Sequence, residues 1–202
     1  LQVLEGNTLH ELKSSDSSMS VSPEYSASLV RLCLSKNANV FQDTFPRADP
    51  FLWADRHYAG FNPVIMAWGI WNWQSGLLLE KWTVSEAKEG PWSGYEMKTV
   101  LEHCPGLQGM EFSIRHMLLK GTPIARSEIS GLNATKHPKR VTMGLQGIVR
   151  LNSHPQSTIH AEINNRRVVY EPTMFGADII PTPEQGWAAF REPESGLVLG
   201  LI

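Results

Sequence analysis

The side chains able to do chemistry are few and scattered along the chain. Seven histidines invite a metal reading, and the one group with the spacing to converge on adjacent strands is His154 with His160 and Glu162, a ligand set of the cupin kind. Against it, a period of two places His160 and Glu162 on the face opposite Ile159, Ala161 and Ile163. A solvated sheet face accounts for them without a metal. His103 and Cys104 are adjacent, and on a strand neighbours point to opposite faces, so they form no local pair of nucleophile and base. His57, in "ADRHYAG", is likewise a lone candidate to which no catalysis is assigned. The chain contains no GxGxxG, Walker loop, GxSxG elbow, HExxH or CxxC. The expectation is a protein that is not an enzyme, with no catalytic, cofactor-binding or metal-binding residue and no cofactor.

The elements that must position these residues follow from length and patterning. A chain of 202 residues can bury about 70% of its unfolded surface in one core, so a single domain is expected. Net charge is −2 with the signs interspersed, which gives no electrostatic footprint for nucleic acid or an anionic membrane. The longest near-continuous apolar stretch, Val64 to Trp73, contains Gly69 and Asn72 and is far shorter than the roughly 20 residues of a membrane helix. Cys33 and Cys104 are a single distant pair, not a disulfide framework, and reduced thiols are expected. The N-terminus lacks a basic start followed by an apolar run, so no secretory signal is read there. Asn133-Ala134-Thr135 fits a glycosylation sequon, which matters only in a secreted chain.

Residues 1–24, with "KSSDSSMSVSP", are polar and Ser-rich and read as a flexible or extended arm ahead of a single domain over 25–202. Ser22-Pro23-Glu24 has the form of a helix start, with Tyr25, Leu29, Leu32 and Cys33 near helical spacing. Beyond Val40, short apolar segments punctuated by Pro, Gly, Asn and Ser predict an all-β domain. Strands are expected at 40–45, 63–73, 77–86, 110–119, 141–151, 157–164 and 166–171, with weaker ones at 176–180 and 197–201. Met110, Phe112 and Ile114 alternate with Glu111, Ser113 and Arg115, one face dry and the other wet. Segment 93–106 reads as a strand although Ser93-x-x-Glu96 is also a capping box. The stretches 46–62, 120–140 and 172–195 read as long loops.

Trp68, Trp71 and Trp73 lie within six positions. They are read as part of a hairpin in which Val64–Trp73 pairs with Leu77–Glu86 across Gln74-Ser75-Gly76. Large aromatics on both faces suit a strand packed inside a sandwich on one side and covered by a neighbour or another subunit on the other.

The order of segments resembles the jelly-roll capsid proteins of picorna-like viruses. A helix with "SASLVRLCLS" leads into a strand "NVFQDTF", a hairpin turns at "WQSG", and "MEFSIRHMLLKGTP" and "TIHAEINNRRVVYEP" follow. Trp73-Gln74-Ser75-Gly76 is similar to that family's aromatic-x-x-Gly turn, and Met110–Leu119 to a later strand, with Arg115-His116 standing where the family has Pro and an aromatic. The length is similar to that of the three small coat proteins of plant secoviruses of the cheravirus type. The resemblance implies an eight-stranded jelly-roll β-sandwich with short helices and long loops, released from a polyprotein, which accords with a first residue that is Leu. It implies a structural coat protein that assembles with its own copies and sister coat proteins into an icosahedral shell around RNA. Non-specific contact with the genome on the inner surface, no membrane partner, and residence in the virion and the host cytoplasm go with it. The alternatives are a cupin-like metal-dependent enzyme and a carbohydrate-binding sandwich presenting some of Trp53, Trp71, Trp73, Trp92 and Trp187 as a stacking platform.

Overall fold

The computed structural model describes residues 8–35, 39–41, 60–67, 70–71, 76–147, 149, 151, 158–171 and 187–201. In chain order its elements are β1 (His10–Ser14), β2 (Ser17–Ser22), β3 (Ser28–Cys33), β4 (Phe61–Ala67), β5 (Ile70–Trp71), α1 (Gly76–Leu79), β6 (Thr83–Glu89), β7 (Trp92–Val100), β8 (Glu111–Leu119), β9 (Ala125–Leu132), β10 (Val141–Gly147), β11 (Thr158–Ile163), β12 (Arg166–Tyr170), β13 (Ala188–Arg191) and β14 (Val198–Leu201). The all-β expectation holds. The described strands form three antiparallel sheets, in the orders β1-β2-β3-β4-β10 with β5 beside β4, β6-β7-β8-β9, and β12-β11-β13-β14. This is more than the eight strands in two sheets of a simple jelly roll.

One core joins the sheets. Met19, Val21, Leu29 and Leu32 from the first meet Met97, Ile114 and Leu118 from the second, and Phe190 and Leu199 from the third, with Leu197 just ahead of β14, pack against them. A second cluster gathers Ile65, Leu77, Leu101, Cys104, Leu107, Met110 and Phe112. Trp82 borders both clusters, its ring edge-on to Phe112 at 5.9 Å.

The chain departs from the expected plan at its start. Residues 10–22 are extended, as one reading of the arm allowed, but they are two paired strands rather than a free arm. Ser17 and Met19 to Ser22 are buried, and the 24/25 boundary falls inside the β2–β3 turn. The helix expected from Ser22 is limited to that turn, where the Tyr25 N–H donates to the Ser22 carbonyl at 3.3 Å and the Ala27 N–H to that of Pro23 at 3.2 Å. Ser26 and Ala27, both at φ 55, end it, and Ser28–Cys33 pairs with β2 instead. A bulge places Val30 opposite no residue of β2, because Ser20 faces Arg31 and Val21 faces Leu29. The extra residue lets Leu29 and Leu32 reach the same core while Val30 joins Tyr25 and Leu9 in a small cluster of its own. Burial of both groups outweighs the helix-start signal.

The Trp-rich hairpin is also replaced. β4 pairs with β3, β5 and β10, and β6 pairs with β7, so Leu77–Glu86 does not return along Val64–Trp73. Glu89 faces Trp92 across the two-residue turn Gly90-Pro91, with Gly90 at φ 56, and this short connection wins over the Gln-Ser-Gly one. Residues 72–75 lie outside the described residues. β9 and β13 arise within stretches expected to be loops, while β8, β10, β11, β12 and β14 stand where alternation places them. The strand expected at 93–106 ends at Val100. The strand expected at 176–180 lies outside the described residues.

Candidate functional site

The residues with reactive potential are positioned by the second sheet and the loop that follows β7. Thr83, Lys98, Ser113 and Ser130 lie in register across its four strands, as do Ser85, Glu96, Arg115 and Glu128 in the next row but one. Period two then puts both rows on the face away from Met97 and Ile114. Along this face runs a row of alternating charge. Lys98 Nζ stands 2.8 Å from Glu96 Oε2, Arg115 Nε donates to Glu96 Oε1 at 2.9 Å, and Arg115 Nη1 is 4.0 Å from Glu128 Oε2. Arg126 continues it, with Nε 3.0 Å from Glu128 Oε1 in an ion-pair contact without hydrogen-bond alignment and Nη2 donating to Glu89 at 2.8 Å.

The guanidinium of Arg126 also lies 4.7 Å above the Trp92 ring, a cation held over the aromatic face. Hydrogen bonding from Lys98 holds the Glu96 carboxyl below the usual carboxylate range, burial opposes this, and Arg115 reinforces it. Glu96 in turn raises the Arg115 guanidinium. Lys98 and Arg115 are well exposed, so each pair contributes under about 1 kcal/mol and is weakened by salt. The value of the row is its pattern.

At one end the sheet face opens into a groove of about 610 Å³ between Lys81, Thr83, Lys98, Glu111, Ser113 and Ser130. The Ser113 and Ser130 hydroxyls are 2.7 Å apart. Val100 and Leu132, 53% and 60% exposed, form its apolar rim. The face offers hydroxyls, paired charges and apolar rims, which suit recognition of an extended polar surface by hydrogen bonds and ion pairs.

Cys104 and His103 lie beyond β7 in a turn, not on opposite faces of a strand. Both reach Glu80, the residue after α1. The Glu80 carboxylate, with a side chain only 1% exposed, accepts the Glu102 N–H at 3.0 Å and the His103 N–H at 2.7 Å, and the His103 ring Nδ1 is 3.3 Å away. Burial pushes the Cys104 thiol up to about 12, and the Glu80 charge and hydrogen bond push it the same way. A thiol held protonated is no nucleophile at neutral pH. The cluster is a staple between α1 and the loop after β7, and sequence reasoning missed Glu80 because its partners are more than twenty residues away.

His160 and Glu162 are only partly exposed and face Val169 with Ala189, and Arg167, in register. Thr158 Oγ1 is 3.0 Å from His160 Nε2. Among the described residues no three of His, Cys, Asp and Glu gather as metal ligands. His154, His57, Trp53 and Trp73 lie outside the described residues. Of the tryptophans named for a stacking platform, Trp92 carries Arg126 over its ring, and Trp187 is half-buried ahead of β13. The sequon Asn133 is exposed, with its amide donating to the His137 carbonyl at 2.8 Å.

Compared with models of protein families, with curated proteins and with solved structures, the chain matches none.

Proposed function

We propose that the chain is a structural subunit of an assembled shell, a coat protein that binds copies of itself and sister subunits around RNA. The observation that supports this reading most directly is at the third sheet, where both edge strands carry an apolar side chain in water. Val169 on β12 is 57% exposed and Val198 on β14 is 56% exposed. Edge strands of soluble monomers are usually guarded by charge, proline or a covering element, because their unpaired backbone groups template further pairing. A subunit that meets neighbours along its edges has a use for that apolar area. The charged row on the β6–β9 face suits a complementary neighbour, since ion pairs at a rim fix register more than they add affinity.

The jelly-roll plan belongs to the same proposal. It is supported by the pairing of β4 with β10, which closes one sheet across the whole of another, as a Greek-key connection does. The unbroken β6–β9 meander is a departure from it.

Coexpression of the chain with its neighbouring polyprotein segments, followed by negative-stain electron microscopy and light scattering, tests the reading. Closed isometric particles containing the chain are the expected result. Monomer alone, up to the highest concentration reached and in the presence of RNA, overturns it.

A further inference from the structure

The β2–β3 turn meets the second sheet through Ala27, which packs in the shared core, and through the imidazole of His116. His116 on β8 is fully buried. Its Nδ1 lies 2.8 Å from the Ser127 hydroxyl on β9, and its Nε2 lies 3.2 Å from the Ala27 carbonyl in the turn. A carbonyl only accepts, so Nε2 carries the proton and Nδ1 accepts from Ser127. The ring is a neutral imidazole with both nitrogens satisfied.

The turn it holds is under tension. Ser26 and Ala27 are consecutive non-glycine residues at φ 55, a left-handed conformation that L-residues adopt at a cost and that persists where surrounding contacts enforce it. Both are buried. The Ala27 carbonyl takes the hydrogen bond from β8, while its side chain packs in the core shared with Ile114 and Leu118.

Among the described residues no carboxylate is hydrogen-bonded to the ring, whose partners are the Ser127 hydroxyl and the Ala27 carbonyl. Tyr95 on β7 is in register with His116, and Glu86 on β6 is in register with Tyr95. Glu86 is 74% exposed and pairs with Lys88. From the turn, Glu24 accepts from the Thr8 N–H at 3.2 Å and the Ser22 hydroxyl at 3.5 Å, and Tyr25 packs with Val30 and Leu9. From β1, His10 faces the Tyr95 ring at 5.5 Å, and the Tyr95 hydroxyl donates to the Glu11 carbonyl at 2.8 Å. β9 contributes Ser127.

We propose that His116 is an acid-sensitive latch that holds the N-terminal β1–β3 segment to the β6–β9 sheet. A proton added to the ring with the turn closed is a buried cation with no carboxylate hydrogen-bonded to it, so acid favours a state in which the turn has lifted and the ring is hydrated. Lifting also relieves the left-handed pair. Burial lowers the closed-state pKa to about 4, against the opposing bond to Ala27, whereas the open ring titrates near its ordinary value of about 6.5. The open form therefore binds more protons between these values. The closed state has its full advantage above about pH 6.5, loses it at about tenfold in the opening constant per pH unit as pH falls, and loses no more below about pH 4.

Hydrogen exchange read by mass spectrometry on the full chain, from about pH 7 to about pH 4.5 and corrected for intrinsic rates, tests the latch. Peptides covering 17–33 should gain exchange at about tenfold per pH unit below about pH 6.5, while those covering 92–119 stay protected. His116→Gln, which cannot titrate, should abolish the gain, and His10→Gln should keep it. Flat wild-type exchange overturns the proposal, and so does a gain that survives His116→Gln or vanishes in His10→Gln. If His116→Gln fails to fold, the wild-type ring resonances followed by NMR decide. A ring that stays neutral while the turn is protected supports the latch; one that titrates near its ordinary value with the turn still protected overturns it.

Discussion

At the scale of single residues, the chain uses its reactive groups as fasteners. Glu80 stands in "LLLEKW", where it reads as one polar residue of a strand, yet its carboxylate is shared among the Glu102 and His103 amides, the His103 ring and the Cys104 thiol. Removing it leaves buried donors unsatisfied, and Glu80→Ala should cost about 3 kcal/mol in a urea melt. The same geometry sets thiol chemistry. With Cys104 buried and its pKa raised to about 12, and Cys33 half-buried, a thiol reagent at about pH 8 should label Cys33 in the native protein and reach Cys104 only on unfolding. Intact mass before and after denaturant checks this, and rapid native labelling of Cys104 would show that Glu80 does not hold the thiol. Neither role was legible in the sequence, because each depends on which residues the loop after β7 brings to α1.

At the scale of elements, strands that alternate cleanly were legible and those decided by their neighbours were not. Met110, Phe112 and Ile114 are buried with Glu111 exposed between the first two, as the pattern on β8 requires. Asn164 and Asn165, at φ 52 and 56, make the two-residue turn between β11 and β12, a conformation that asparagine tolerates well. By contrast β9, "ARSEISGL", is an edge strand with Ile129 as its main core contact, too polar to show a period. The charged row across Glu96, Arg115 and Glu128 was hidden for a related reason, since register between strands decides it. Close approach of β7 to β8 is a sharper constraint. A Cβ on Gly94 would lie 1.9 Å from the His116 carbonyl oxygen and 2.7 Å from the Met117 Cα, both backbone atoms, so the strands must separate to admit it. Gly94→Ala should therefore lower stability by about 3 kcal/mol or more and loosen β7–β8 exchange protection, whereas Gly90→Ala, with open space around it, should cost only about 1 kcal/mol through its positive φ.

At the scale of the whole molecule, assembly and folding make separate demands on the same sheets. If the edges of the third sheet meet neighbours, Val169→Lys with Val198→Lys should abolish particles while leaving the unfolding free energy from a urea melt within about 0.5 kcal/mol of wild type, because both side chains are already largely in water. Retained particles would place the interfaces elsewhere on the surface. The β4–β10 pairing has a consequence in time as well as space. β6 to β9 form a local meander of sequential strands, but β4 waits for β10, which the chain reaches only after that meander is complete. Closing so long a loop is slow compared with zipping adjacent strands. Pulse-labelled refolding should show amides of β7 and β8 protected before those of β4, and during synthesis the N-terminal strands would leave the ribosome early with their sheet still missing its last member. The β4 edge is thus a nascent-chain liability, a stretch of backbone seeking a partner that has yet to be made.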